Sequence, residues 1–137
     1  MTFKSLFLTL FVSTLSLTAF AADCYGPEDE VTLSGVLTTK ATYIDPSDFG
    51  WAPKNGFQAY DALVVQTPVC FEDKENGVEA VKDIYVLQTG GVKLSEKQAE
   101  KMPDGIKVKL KGKLMPEETA HHFQKLVFLV TETSVEK

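Results

Sequence analysis

The chain has 137 residues, which is enough for one domain and short for two. It contains 19 acidic residues, 14 lysines and no arginine, which gives a net charge of −5 at pH 7. Because phosphate backbones attract basic surfaces and arginine is their preferred ligand, this composition argues against nucleic acid as a partner.

Residues 1–21 have the three parts of a secretory signal peptide. Lys4 supplies the early positive charge, an apolar run covers 6–17, and Ala19 and Ala21 are the small residues that precede a cleavage site. The alternative is a transmembrane anchor, but the apolar run is short for a span and is diluted by Ser and Thr. We expect cleavage after Ala21.

The predicted mature domain is residues 22–137, and it is expected in the periplasm without a membrane span. Losing Lys4 leaves 13 lysines against 19 acids, a net charge of −6. Lipidation of Cys24 is an alternative. It is disfavoured because Asp23 lies directly before the cysteine, where a small residue would be expected.

Cys24 and Cys70 are the two cysteines of the chain, and both follow the predicted cleavage site. In an oxidising compartment, such a pair is most simply a disulfide. It would close a loop of about 47 residues, worth roughly 4 kcal/mol in the chain-entropy model. A metal pair and a catalytic thiol are the competing interpretations.

The first predicted strand begins at Val31, has apolar side chains at period two, and continues to Tyr43. Gly35 interrupts its apolar face, which is typical of a bulge or a sharp bend. Residues 45–56 form a predicted loop, rich in Pro, Gly, Asn and Asp. The loop and its end carry three aromatic candidates for binding, which either cap the fold or contact a protein or a sugar: Phe49, Trp51 and Phe57.

Two further strands are predicted over 60–69, with Pro68 as an end or edge marker, and over 81–89. Residues 94–102 are rich in Glu, Lys, Gln and Ala, and Ser95 near their start is a good N-cap residue. The segment is therefore predicted to form a short helix.

The fourth predicted strand, 106–114, alternates between apolar residues and lysines, and Gly112 interrupts its apolar face. The lysine row either attracts an anionic partner or keeps an exposed strand from pairing with another chain: Lys107, Lys109, Lys111 and Lys113. The last strand is predicted over 126–131.

The order of three strands, one short helix and two strands predicts a mainly β fold. It matches a small five-stranded OB-like barrel, with the helix between strands 3 and 4. A sandwich or another small barrel would accept the same strands.

The two histidines, His121 and His122, are adjacent in a polar segment over 115–125. Neighbours on a strand point to opposite faces, so the pair converges on one metal ion only if the backbone turns. Zinc usually takes three or four ligands, and the alternative is a solvated polar loop. We treat the pair as candidate metal ligands and, with Thr119, as candidate binding residues.

Catalysis has little support in the sequence. No nucleophile elbow and no glycine-rich phosphate loop is present, although 19 acids always allow a carboxylate pair on paper. We therefore expect a protein that is not an enzyme and that needs no cofactor.

Four short motifs together resemble a family of small bacterial exported proteins, a domain of unknown function. They are the G-x-L strand at Gly35, the P-x-C strand end at Cys70, the second G-x-L strand at Gly112, and a T-G-H-H-H loop beginning at Thr119. Here Ala120 and Phe123 replace the Gly and the third His of that loop. The resemblance implies an OB-like barrel and an envelope location, and no activity.

These features favour an exported binding module with a protein partner in the cell envelope. One version is an immunity or inhibitor protein against an envelope-acting toxin or hydrolase, because an acidic blocker suits a basic enzyme. The alternatives are a domain that binds a glycan or small ligand and a metal-linked role of the histidine pair.

Overall fold

The computed structural model describes residues 24–137, so the predicted signal peptide lies outside the described residues. The described chain is mainly β, with five strands and one short α-helix followed by a 3₁₀ turn. In chain order the elements are β1 Val31–Tyr43, β2 Phe57–Asp73, β3 Val78–Gly90, α1 Glu96–Glu100, the 3₁₀ turn Met102–Asp104, β4 Ile106–Pro116 and β5 Leu126–Val135.

All five strands belong to one sheet, and each pairs with two others. β1 pairs antiparallel with β2 and with β4, β2 pairs antiparallel with β3, and β4 pairs antiparallel with β5. The pairing of β3 with β5 is parallel. The pairings therefore run β1-β2-β3-β5-β4 and return to β1, and the predicted order of elements is confirmed.

The core lies between the inward faces of the strands. In β4 the predicted alternation is confirmed, since the apolar residues are buried while Lys107, Lys109 and Lys113 are exposed. β1 fills the core only as far as Leu37, and Tyr43 at its end is 61% exposed, because the β1–β2 hairpin extends beyond the core. The largest fully buried side chains are Phe71, Phe128, Leu37, Leu63, Leu87, Leu110, Leu114, Leu126, Val31 and Val108.

Two glycines allow strands to approach closely where the sheet bends. A Cβ on Gly35 would run into the carbonyl of Val64 on β2. A Cβ on Gly112 would run into the backbone of Leu129, at 2.8 Å from its carbonyl carbon, beside a register shift between β4 and β5. The interruptions of the apolar faces are therefore steric requirements of the strand crossings.

Pro68 does not end its strand, because β2 continues to Asp73. The pairing of β2 with β3 shifts register between Val64 and Val69, so Pro68 lies in a bulge, where no ladder donor is needed. The predicted second strand was therefore too short.

The disulfide between Cys24 and Cys70 is confirmed, with the two Cα atoms 4.5 Å apart. Tyr25 next to it forms a parallel bridge with Phe71, and its amide donates to the carbonyl of Cys70 at 2.8 Å. The disulfide thus attaches the segment before β1 to the far half of β2.

The helix is shorter than predicted, but its N-cap is confirmed. The amide of Gln98 donates to Ser95 Oγ at 3.2 Å, and Ser95 N donates to Gln98 Oε1 at 3.0 Å, which forms a capping box. Pro103 follows in the 3₁₀ turn. No helix within 24–137 is long and apolar enough to cross a membrane.

The lysine row is partly neutralised by acids on neighbouring segments. Lys111 Nζ lies 2.8 Å from a carboxylate oxygen of Glu30 and 3.9 Å from one of Glu132, and the hydrogen bond to Glu30 raises the pKa of Lys111. Lys113 Nζ lies 3.4 Å from Glu28. This pairing weakens the anionic-partner interpretation of the row.

Candidate functional site

Two loops that are distant in sequence meet outside the sheet. The β1–β2 loop (44–56) contributes Phe49 and Trp51, and the β4–β5 loop (117–125) contributes His121. The ring centroids of Trp51 and His121 are 4.1 Å apart with the planes inclined by 40°, and those of Phe49 and Trp51 are 5.6 Å apart. We call these three residues the aromatic patch.

The aromatic patch is open to solvent although its rings contact one another. Phe49 is 42% exposed and Trp51 is 38% exposed, and His121 is also exposed. Exposed aromatic rings held in a fixed arrangement are typical of a surface that binds a partner.

The β1–β2 loop begins with a hydrogen-bonded turn at Asp45. The amide and the hydroxyl of Ser47 donate to Asp45 Oδ1 at 2.9 and 2.7 Å, and the amide of Phe49 donates to the carbonyl of Asp45 at 3.3 Å. The two Ser47 donors, the amide foremost, favour the charged carboxylate and hold the pKa of Asp45 below its usual value. The carboxylate of Asp45 therefore fixes the turn that carries Phe49.

Thr119 organises the β4–β5 loop. Its hydroxyl accepts from the amide of His121 at 3.3 Å, and its carbonyl accepts from the amide of His122 at 3.0 Å. The amide of Glu118 donates to His122 Nδ1 at 2.9 Å. Thr119, predicted as a binding residue, therefore shapes the loop that presents His121.

The β4–β5 loop lies over the outer face of the sheet. Ala62 and Val127 are buried, but they are not part of the main core cluster, whereas their strand neighbours Leu63 and Phe128 are. Because successive residues of a strand point to opposite faces, Ala62 and Val127 point outward. Gln88 on β3 pairs with both of them and shares this face.

Gln88 joins this face to the loop above it. Its Nε2 donates to the carbonyl of His121 at 3.0 Å, and its Oε1 accepts from the amide of Phe123 at 2.6 Å. One side-chain amide thus satisfies two backbone groups that lie on either side of His122.

A second anchor lies beside Gln88. The rings of Tyr60 and Phe123 have centroids 5.2 Å apart, and Gln124 Nε2 donates to the hydroxyl of Tyr60 at 2.7 Å. Phe123 packs the loop onto β2 through this contact with Tyr60. The loop is therefore held at the residues on both sides of His122.

The structure brings some of the predicted candidates together and leaves others apart. Trp51, Phe49 and His121 come together, and Thr119 supports them. Phe57 is not part of the contact, because its ring packs edge-on against Tyr43 at 5.5 Å, across the base of the hairpin.

The two histidine rings have different surroundings. His121 contacts Trp51, whereas His122 accepts a hydrogen bond at Nδ1, which uses a lone pair that a metal ion would need. Within 24–137 no group of three or more His, Cys, Asp or Glu residues could hold a metal ion. Metal binding by His121 and His122 stays a prediction.

Gln88 and Tyr60 were not predicted as site residues. Each is a polar or amphipathic residue on the outward face of a strand, and the local pattern does not distinguish it from an ordinary exposed residue. Their importance comes from a loop that lies more than 30 residues away in sequence.

The two loops have an acidic rim. Together they carry four carboxylates and two lysines: Asp45, Asp48, Glu117, Glu118, Lys54 and Lys125. The two loops that present the aromatic patch therefore have the same negative sign as the whole chain.

The chain matches no family model, and no curated protein matches it.

Proposed function

We propose that the chain is an exported, periplasmic binding module built on an OB-like barrel, and that it contacts a protein of the cell envelope through the aromatic patch. The observation that carries the proposal is the contact between the exposed indole of Trp51 and the ring of His121, two residues that are 70 positions apart in sequence. The resemblance to the exported family and the predicted signal peptide support the compartment, as does the disulfide.

The anchoring of the patch favours binding. Loops that are ordered before binding lose less conformational entropy when a partner arrives. Asp45 holds one loop, and Gln88 and Tyr60 hold the other. Trp is among the residues that most often dominate the binding energy of an interface.

The acidic rim favours a basic partner. The two loops that present the patch carry four carboxylates against two lysines, and opposite charges on two proteins increase the rate at which they meet. A basic envelope hydrolase or toxin has this property, and the protein would then act as its inhibitor or immunity protein. A Lys or Arg side chain of such a partner would bind against the face of Trp51.

A glycan is the second candidate ligand, because of where the patch lies. In OB-like barrels the loops between strands 1 and 2 and between strands 4 and 5, with the sheet face between them, are a site for oligosaccharides. Trp51 and His121 belong to these two loops, and an exposed indole can stack on a sugar ring.

The test compares the oxidised protein with two variants in pull-downs from envelope extract. Trp51→Ala removes the centre of the patch, and Tyr85→Ala is the matched control, since Tyr85 is a 48% exposed aromatic residue on β3 outside both loops. The captured partner is then purified and titrated at increasing salt, and soluble cell-wall glycan fragments are titrated in parallel.

A basic protein that binds the unchanged chain and Tyr85→Ala, but binds Trp51→Ala at least about tenfold more weakly, supports the proposal. Its affinity should fall with salt, because the acidic rim contributes. Binding of glycan fragments that depends on Trp51, without a protein partner, would replace the protein by the second candidate. A partner retained equally by all three proteins would refute the role of the patch.

A further inference from the structure

One edge of β1 has no neighbouring strand where β1 enters the β1–β2 hairpin. β1 pairs with β2 as far as Tyr43, whereas its pairing with β4 ends at Leu37, opposite Ile106, the first residue of β4. Within the described chain, therefore, no strand lies beside residues 38–43 of β1 on the side away from β2. We call this side of residues 38–43 the free edge.

The chain before Cys24 is too short to cover the free edge in the predicted mature protein. Two residues precede Cys24 there, and Cys24 is bonded to Cys70. Ala62, the partner of Thr38 on β2, lies eight residues along β2 from Cys70, which is about 26 Å of extended strand. Two residues extend over about 7 Å, so they do not reach the free edge.

The backbone groups that point outward at the free edge belong to its odd-numbered residues. The amide of Ile44 donates to the carbonyl of Gly56 across the hairpin. Because alternate residues of an antiparallel ladder bond to the partner strand, the even-numbered residues of this part of β1 bond to β2. Thr39, Ala41 and Tyr43 therefore direct their N–H and C=O groups away from β2, and in the described chain these groups form no backbone hydrogen bond to a loop or a helix.

The side chains on the free edge leave its backbone accessible. Thr39 and Ala41 are small and exposed. The ring of Tyr43 leans toward β2, where it covers Gly56 and packs edge-on against Phe57 at 5.5 Å. Tyr43 is 61% exposed and Phe57 is 58% exposed, the highest values among the large hydrophobic side chains of the described chain. The edge thus combines accessible main-chain groups with apolar surface that a second strand would shield from water.

Another open edge of the sheet is protected, whereas the free edge is not. β3 pairs with β5 only over its last three residues, so its segment 78–85 is also open on that side. That segment carries the charges of Lys82 and Asp83, and Asp83 has a φ of 58° beside a register shift. Charges and bulges are features that keep a strand edge from pairing with another chain. The free edge has no register shift and no proline, and its one charged residue is Lys40.

The free edge is complementary to its own sequence in the reverse direction. In an antiparallel pair of two copies, the outward groups meet only when odd-numbered residues lie opposite odd-numbered residues. A register centred on Ala41 places Ala41 opposite itself and Thr39 opposite Tyr43, and each of these pairs exchanges two main-chain hydrogen bonds. Lys40 then lies opposite Thr42, whereas a register centred on Lys40 would place two like charges directly opposite each other, which destabilises a strand pair.

We propose that two copies of the chain form a symmetric dimer by pairing their free edges in the register centred on Ala41. The same surface is used on both copies, so a twofold axis closes the dimer and leaves no free edge for a third copy. Because five residues of extended strand span about 17 Å, the interface is small and the dimer dissociates reversibly. The aromatic patch is anchored to β2 and β3, so the dimer neither uses nor requires it.

The test measures the dimer fraction of the oxidised mature protein by sedimentation velocity, from about 5 µM to about 500 µM. Ala41→Lys and Ala41→Glu each place two like charges on the twofold axis, whereas an equal mixture of the two variants places opposite charges there. Ala80→Lys is the matched control, since Ala80 is an exposed alanine on β3, outside the free edge. Thermal unfolding checks that each variant folds, and hydrogen exchange of the unchanged protein supplies a measurement that needs no variant.

We expect the dimer fractions of the unchanged protein and of Ala80→Lys to rise equally with concentration. Each Ala41 variant alone should dimerise at least about tenfold more weakly, and the mixture should recover the affinity to within about threefold. The amides of Thr39, Ala41 and Tyr43 should exchange more slowly at the highest concentration than at the lowest. The proposal is overturned by a monomer throughout the range, by an Ala41→Lys variant that dimerises like the unchanged protein, or by a mixture that stays monomeric. If the Ala41 variants do not fold, the three amides decide, and equal exchange at both concentrations overturns the proposal.

Discussion

Replacing Gln88 by alanine should detach the β4–β5 loop from the sheet. The change removes both hydrogen bonds of the side-chain amide, to the carbonyl of His121 and from the amide of Phe123. At about 1 kcal/mol per hydrogen bond, the loss is about 2 kcal/mol of unfolding free energy. Over the 114 described residues, with about 2.1 cal/mol/K per residue, this lowers Tm by about 8 °C.

The same variant should change the surroundings of Trp51. Trp51 is the single tryptophan of the chain, so its fluorescence reports on the contact with His121 without interference. When the loop is released, the indole becomes more exposed and its emission should move to longer wavelength. The assay is thermal unfolding of the oxidised protein combined with emission spectra of the folded state.

The matched control is Gln66→Ala. Gln66 is exposed on β2 and makes no side-chain hydrogen bond within the described chain, so its loss should change stability by less than about 0.5 kcal/mol. If Gln88→Ala keeps the Tm within about 1 °C of the unchanged protein and leaves the Trp51 emission unaltered, Gln88 does not position the loop.

Three further outcomes follow from the structure. Replacing Cys24 and Cys70 together by serine should lower the unfolding free energy by about 4 kcal/mol, measured by urea denaturation, and a loss below about 1 kcal/mol would contradict the chain-entropy estimate. Gly112→Ala should cost about 1–3 kcal/mol, because its Cβ would overlap the backbone of Leu129, whereas Gly50→Ala has open space around it and should be neutral in the same denaturation assay. Ser47→Ala should raise the pKa of Asp45 only part of the way toward 3.8, because the amide of residue 47 still donates to the carboxylate and only the hydroxyl is lost; carboxyl NMR titration measures this. Because the folded-state pKa of Asp45 is lowered, its stabilisation of the loop is present above the unfolded-state pKa and is lost as pH falls through the folded-state pKa. An unchanged titration in Ser47→Ala would remove the hydroxyl of Ser47 as a cause and leave its amide.

The strand pattern was predictable because local periodicity determined it. β4 alternates throughout, and its buried and exposed residues follow that alternation. The length of β2 was not predictable in the same way, since Pro68 is compatible with a strand end as well as with a bulge. A bulge depends on the partner strand, which the local sequence does not identify.

The candidate site was predictable only in its parts. The composition of 45–56 and the pair His121 and His122 identified two unusual loops, but nothing local indicates that Trp51 contacts His121. That contact results from the order of strands, which places the two loops side by side. Gln88 was missed for the same reason, because its two partners are 33 and 35 residues away.

The parallel pairing of β3 with β5 explains why the aromatic patch has this position. It places Gln88 next to Val127, so the chain that enters β5 must cross the outer face of β3 immediately before it pairs. Apolar residues on that face would leave the carbonyl of His121 and the amide of Phe123 without partners, whereas the amide of Gln88 satisfies both. The cost of crossing an exposed sheet face is thus offset by one side chain, and the loop is free to present His121 to Trp51.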